Sequence, residues 1–276
     1  MPARDLWEFP LGAVLEPAAL ANEPGAGLWN PASTALDPGV RWRLGVASVS
    51  RPGADQSVDG QLLSAARRGS NGVTMGFSVA RTSVGGITRT DSDPQSLGTV
   101  AYASLLLSAT ASRQILPHVT AGFAARVREG RSDQEVRHAI AADLGVVVDE
   151  LPWRDARIAV SSFLWRPGRE VDDRPAFLAA ADLRVLGHRT RELRAGYTHN
   201  GVNRGAQERG PFLGAQVDRL ELRGAYLRTA AAGRTLSRIR SGLALHYAKF
   251  VVGIAREEGV SGLGPLYQFT LSSLLK

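Results

Sequence analysis

From Val40 onward the chain repeats one pattern: large apolar residues at every second position, then a break. Val73, Met75, Phe77 and Val79 interleave with Thr74, Gly76, Ser78 and Ala80, so one face is bulky and the other small or hydroxylic. Successive side chains of a strand point to opposite faces, and a period of two therefore predicts strands with one apolar face. The same split separates Val119, Ala121, Phe123, Ala125 and Val127 from Thr120, Gly122, Ala124, Arg126 and Arg128. It recurs with Ile140, Ala142, Leu144, Val146 and Val148, and again with Phe177, Ala179, Ala181, Leu183 and Val185. Leu193, Ala195 and Tyr197, then Ile239, Leu243 and Leu245, then Tyr267, Phe269, Leu271 and Leu275 continue it.

Turn-forming residues separate the runs: Arg51-Pro52-Gly53, Asp91-Ser92-Asp93-Pro94, Arg166-Pro167-Gly168, Asn200-Gly201 and Gly259 to Gly264. These read as hairpin connections or surface loops. A helical period is sustained only over Gln61 to Arg68, while Asp133 to His138 reads as a helical turn or a loop. Roughly 11 to 14 segments of about ten residues emerge, the length a tilted strand needs to cross a bilayer. Strands of soluble sandwiches are shorter, typically about 5–6 residues. The expected fold is all-β: a closed antiparallel transmembrane β-barrel of about 12–14 strands, the upper part of that count.

Residues 1–39 break the alternation. They include Phe9-Pro10-Leu11-Gly12-Ala13, the small residues Ala18-Ala19-Leu20-Ala21, and Leu28-Trp29-Asn30-Pro31-Ala32. Such a segment is expected to pack irregularly against something larger. The alternative is a disordered leader, as its Pro and Gly content allows, and the expected organisation is this segment over 1–39 followed by one barrel domain over 40–276.

Composition narrows the classes. Of 276 residues 44% are hydrophobic, the mean hydropathy is −0.09, and no run of 18 apolar residues occurs, which excludes a helical membrane protein. Cysteine is absent, so disulfides and thiolate metal sites are excluded. The net charge is +7, but the arginines are scattered and not interleaved with stacking aromatics, which argues against nucleic-acid binding. Met1 to Trp7 contains no basic segment followed by an apolar stretch, so a signal peptide is not visible, and an outer-membrane location requires that the sequence is the mature form or that its start was trimmed or misassigned.

The polar faces carry Arg126, Asp143, Asp182, Arg184, Glu192, Arg194, Glu221, Arg223, Arg238 and Arg240. Charges of both signs on neighbouring strands fit either a solvated sheet face or a lumen crossed by Arg–carboxylate pairs. Asp143 and Asp182 are each expected to meet an arginine, the alternative being a carboxylate pair between them. The five histidines, at 118, 138, 188, 199 and 246, lack zinc-ligand spacing, and no nucleophile elbow or phosphate loop occurs. Ser161 and Ser162 read as packing residues, His199-Asn200-Gly201 as a turn, and neither an enzyme nor a cofactor is expected. Trp42, Trp153, Trp165, Tyr102, Tyr197, Tyr247 and Tyr267 are candidates for an interfacial girdle or for the core.

The Ala-rich N-terminal segment ending in Asn30-Pro31-Ala32, the stretch Ile140-Ala141-Ala142-Asp143-Leu144-Gly145, and the ending Gly262-Leu263-Gly264 to Tyr267-Gln268-Phe269-Thr270-Leu271 resemble the PorV/PorQ-type proteins, related to FadL-type outer-membrane barrels. The resemblance covers most of the chain through short motifs, and it implies that residues 1–39 form a hatch-like segment in or against the lumen, with Leu20, Leu28, Trp29, Asn30 and Pro31 as hatch and ligand-lining candidates. Three functions stay open: a FadL-like conduit for small hydrophobic or amphipathic molecules, a PorV-like platform for a secretion-system protein or surface partner, and a soluble β scaffold. A conduit predicts an apolar pocket near Leu20 to Trp29. A platform predicts a filled lumen with binding loops at 51–71 and 200–212. Outer-membrane lipid is the expected surrounding of either barrel.

Overall fold

The computed structural model describes residues 16–22, 25–37, 39–52, 57–90, 96–133, 135–165, 176–188, 190–202, 207–231, 234–259 and 264–275. The alternating runs become β1 (Trp42–Arg51), β2 (Ser57–Arg68), β3 (Thr74–Gly85), β4 (Thr88–Thr90), β5 (Ser96–Thr99), β6 (Tyr102–Leu116), β7 (Val119–Ser132) and β8 (Glu135–Leu151). The second half supplies β9 (Ala156–Trp165), β10 (Ala176–His188), β11 (Arg191–Val202), β12 (Gln207–Val217), β13 (Leu220–Ala231), β14 (Arg234–Tyr247), β15 (Phe250–Glu257) and β16 (Leu266–Leu275). Antiparallel pairing runs from β1 through β2, β3, β6 and onward to β16, which pairs back to β1 with Trp42 opposite Leu275. The result is a closed barrel of 14 strands, with β4 and β5 forming a separate hairpin between β3 and β6. Closure leaves no unpaired edge, a condition for strands in a bilayer where water cannot satisfy backbone groups.

The alternation sorts directly into two faces. Met75 and Phe77 are 67% and 52% exposed, whereas Thr74 and Ser78 on the same strand are 4% and 5% exposed. Phe123, Val127, Leu144, Ile239 and Phe269 also point outward, uncovered by any protein layer. The apolar faces therefore do not pack on one another as a soluble sheet would require; they form the outer band of a transmembrane barrel.

The two ends differ. Residues 69–73, 117–118, 152–155, 218–219 and 248–249 make short turns at one end, where Trp42 and Leu275 also lie. The strand ends that flank the two longest separations along the chain, between β3 and β6 and between β9 and β10, lie at the other end. Arg67 lies over the Trp42 ring at 5.1 Å, and Arg219 over that of Tyr247 at 5.7 Å, at the short-turn end. Tyr197, Tyr226 and Tyr267 face outward toward the other end. Exposed Trp153 occupies a short turn, and Tyr102 is half-buried at the end of β6. Trp165 belongs to β9, with its side chain outside the described residues.

Four local expectations are corrected. Gln61 to Arg68 is not helical but lies in β2, because Leu62 and Ala66 face inward while Leu63 faces outward, making both faces apolar. Asp133 is a positive-φ corner (56°) from which β8 starts at Glu135, so no helical turn forms there. Asn200-Gly201 continues β11, with Asn200 Nδ2 donating to Glu208 Oε1 across the ladder at 3.2 Å. Residues 51–71 and 200–212 are consequently largely strand, not binding loops, since β2, β11 and β12 run through them. The turns expected at Asp91 to Pro94 and Arg166 to Gly168 lie outside the described residues, as do residues 1–15 of the N-terminal segment.

Candidate functional site

Residues 16–37 sit against inward-facing side chains of the barrel, apart from those outside the described set. They form three short helical pieces, Ala18–Leu20, Ala26–Trp29 and Pro31–Ala35. Pro31 suits the first position of a helical turn, where no backbone donor is needed. Asn30 precedes it as the cap: its Oδ1 accepts from Ala32 N at 3.0 Å, and its Nδ2 donates to Ala19 O at 2.9 Å. One fully buried amide thus ties the second half of the segment to the first.

The seat is a row of four directly paired wall residues: Ser112 on β6, Gly122 on β7, Gly145 on β8 and Ser161 on β9. Gly122 and Gly145 lie opposite each other and leave a notch. A Cβ on Gly145 would come within 2.0 Å of Asn30 Oδ1, and one on Gly122 within 2.4 Å of Ala32 N. The serines flank the notch. Ser112 Oγ is 2.5 Å from Thr34 Oγ1, and Ser161 Oγ donates to Trp29 O at 2.7 Å. Ser161 is therefore more than a packing residue: it is an anchor that parity with Ala159 and Arg157 on β9 could have placed on the inner face.

Arg126 and Asp143 form a buried ion pair beside this row, and Arg126 Nη2 donates to Gly27 O at 3.2 Å. The Asp143-Leu144-Gly145 stretch thereby supplies both the charge that holds Arg126 and the notch that receives Asn30-Pro31. Leu20, Leu28 and Trp29 are buried in an apolar cluster with Leu62, Leu178 and Phe212 of the wall. Asn30 and Pro31 are buried too, and none of these five residues lines the three cavities found at Glu16 and Asp182, at Gly25 to Gly27, and at Pro17 and Leu227.

The remaining charged candidates form two clusters. Toward the short turns, Asp182 accepts from Arg157 Nε at 3.0 Å and from Arg194 Nη2 at 2.7 Å. Arg184 pairs with Glu192 at 2.9 Å and with Asp155, and Arg223 pairs with Glu221 and with Glu16. His246 Nε2 lies 3.0 Å from Glu221 Oε2. Glu16 is almost wholly buried, and its Oε2 also accepts from Asn22 N at 2.6 Å, so it fastens the start of the described segment to β13. Toward the long connections, Arg238 bridges Glu208 at 2.5 Å and Glu257 at 2.8 Å, and Arg240 contacts the same two carboxylates. Sequence reasoning omitted Glu16, Arg157, Glu208 and Glu257. The last three have the inward parity of their strands, whereas Glu16 precedes all of them.

These pairs satisfy charges that would otherwise be costly to bury, and they bind strands to one another and to the inner segment. The largest of the three cavities, about 290 Å³, lies in the short-turn half, lined by Glu16, Arg157, Asp182, Arg194, Arg223, Phe212 and other residues. Its lining mixes ionisable groups with apolar ones such as Ala244, Val251 and Leu274, and a smaller cavity of about 40 Å³ lies at Gly25, Ala26 and Gly27, within the stretch Leu20 to Trp29 where a conduit predicts an apolar pocket.

Neither a protein-family model nor a curated protein matches the chain. Solved structures do match. The fold is similar to the toluene transporter TbuX of Ralstonia pickettii, with a TM-score of 0.63 at 10% identity over 92% of this chain and 94% of that one. It is also similar to the monoaromatic hydrocarbon channel CymD, with a TM-score of 0.69 at 8% identity over 96% and 97% of the two chains. The Pseudomonas putida toluene transporter TodX matches with a TM-score of 0.53 at 10% identity over 90% and 92%. At such identities the similarity establishes a shared barrel fold.

Proposed function

We propose that the chain is an outer-membrane conduit for small hydrophobic or amphipathic molecules, in which residues 16–37 act as the hatch. The short turns then face the periplasm and the longer connections the exterior, the usual arrangement of such barrels. The observation that carries this reading is the seat of the inner segment. Its backbone and side chains meet a row of small wall residues through a few hydrogen bonds, while its apolar side chains cover Leu62, Leu178 and Phe212.

Shifting the segment off the row would uncover an apolar wall strip and join it to the charge-lined cavity below. Such a path suits a molecule that is apolar over most of its surface. The similar structures TbuX and TodX are named as toluene transporters and CymD as a monoaromatic hydrocarbon channel, which makes small aromatics a reasonable first probe. Initial uptake of labelled toluene and labelled octanoate would be compared in cells making the chain and cells lacking it. Faster, saturable uptake of either probe is the expected result; equal rates with both would overturn the conduit.

One observation favours the alternative, a PorV-like platform that transports nothing and holds a surface or secretion partner. The lumen contains the inner segment and ion pairs that cross several strands, as in a closed scaffold. Equal uptake rates combined with recovery of a bound secretion-system protein would favour the platform.

A further inference from the structure

We propose that the outward surface of β11 to β14 near the long connections binds a phosphorylated lipid headgroup of the outer leaflet. His199, Arg209, Arg228 and Ser237 occupy one continuous cross-strand row: His199 opposite Arg209, Arg209 opposite Arg228, and Arg228 opposite Ser237. All four are exposed, and they share the parity of the apolar band, so they point away from the lumen. Like charges placed directly opposite across a ladder destabilise a sheet, and Arg209 and Arg228 stand in that relation.

Neither arginine has an ion-pair partner among the described residues. Arg228 lies over the Tyr226 ring at 5.7 Å, and the Tyr226 hydroxyl is 2.9 Å from Ser237 Oγ. Exposed Glu258 is the acid at this level: its backbone N donates to Ile239 O, placing it at the end of β15, two strands beyond Tyr226.

The level of the row fits a headgroup. Tyr197 and Tyr226 face outward one alternation closer to the midplane, followed on the same faces by Leu213, Leu222 and Leu243. Tyrosines mark the membrane–water interface, so the guanidinium groups lie where lipid phosphates lie. The opposite wall at a similar level differs: Gln61, Arg81, Leu105, Glu129 and His138 form a row with a single arginine, separated by Leu105 from a carboxylate that lies 3.8 Å from His138. Two facing guanidiniums flanked by a hydroxyl and an imidazole make a donor set for phosphate oxygens, and an anion between them relieves the repulsion.

The test is native mass spectrometry of the full chain in a neutral detergent, titrated with diphosphoryl lipid A and with its dephosphorylated form. The proposal predicts a retained one-to-one adduct with the diphosphoryl lipid alone. Arg209→Gln and Arg228→Gln should each weaken it about fivefold and together about thirtyfold, whereas Arg81→Gln leaves it unchanged. The Arg209→Lys/Arg228→Lys pair should stay close to the parent, which separates lost charge from lost fold. Equal binding of the dephosphorylated lipid, or an unchanged double Gln variant, would overturn the proposal. So would inorganic phosphate binding as tightly as the lipid, since that would describe a free-anion site.

Discussion

Gly145 leaves no room for a methyl group. Its Cβ would meet Asn30 Oδ1 at 2.0 Å and Pro31 Cδ at 2.8 Å, so Gly145→Ala must displace the Asn30-Pro31 step. The barrel ladders do not depend on that side chain. The expected result is faster hydrogen exchange or new protease cleavage in residues 16–37, with unchanged resistance of the barrel to SDS before heating. Ser161→Ala removes one hydrogen bond to Trp29 O and should have a smaller effect, about 1 kcal/mol. Asp143→Asn leaves Arg126 buried without its anionic partner and should lower stability by about 3–5 kcal/mol. Urea midpoints in lipid vesicles would measure that loss, and adding Arg126→Gln should restore part of it. That Asp143 and Asp182 would meet arginines was legible from the sequence, because strand parity puts opposite charges on one face. Which arginine meets which carboxylate was not, because parity carries no register: Asp182 takes Arg157 and Arg194 from both flanking strands.

Among the elements, alternation was readable wherever the two faces meet different surroundings. β3, β7, β8 and β10 face lipid on one side and small or polar groups on the other, and their periods are clean. β2 misleads because its inner face packs against the inner segment: a Cβ on Gly25 would come within 2.2 Å of Leu62 Cδ2. With Leu62 and Ala66 buried inside and Leu63 outside, the period of two disappears and a helical spacing takes its place. The seat of the segment was hidden for a related reason. Glycine and serine in a strand look like weak strand formers until the register sets Ser112, Gly122, Gly145 and Ser161 side by side. Outward positions should be intolerant of charge. Phe123→Arg, in the middle of the β7 apolar run, is expected to destabilise the folded barrel by about 2–4 kcal/mol, and Ala103→Arg, at the end of β6, by much less. Refolding yields in vesicles of defined thickness would read the difference.

At the scale of the whole molecule, 14 strands enclose more space than side chains alone fill, and the N-terminal segment occupies part of it. Two kinds of contact hold the segment: the small-residue row along β6 to β9, and Glu16, which reaches Arg223 on β13. The same lumen contains an apolar strip under the segment and a charged cavity beside Glu16, so the position of the segment decides whether a continuous path exists. The barrel was foreseeable from pattern, whereas the ionisable groups of the cavity follow from where β9 to β14 bring their inward ends together. The gating claim is tested most directly by a reversible tether. Thr34→Cys and Ser112→Cys replace hydroxyl groups 2.5 Å apart in a chain with no other cysteine, so oxidation joins the segment to β6 alone. Uptake of labelled toluene by cells carrying this variant should fall to the level of cells lacking the chain when the disulfide is formed, and should recover on reduction. Uptake that is the same in the oxidised and reduced states would contradict a moving hatch.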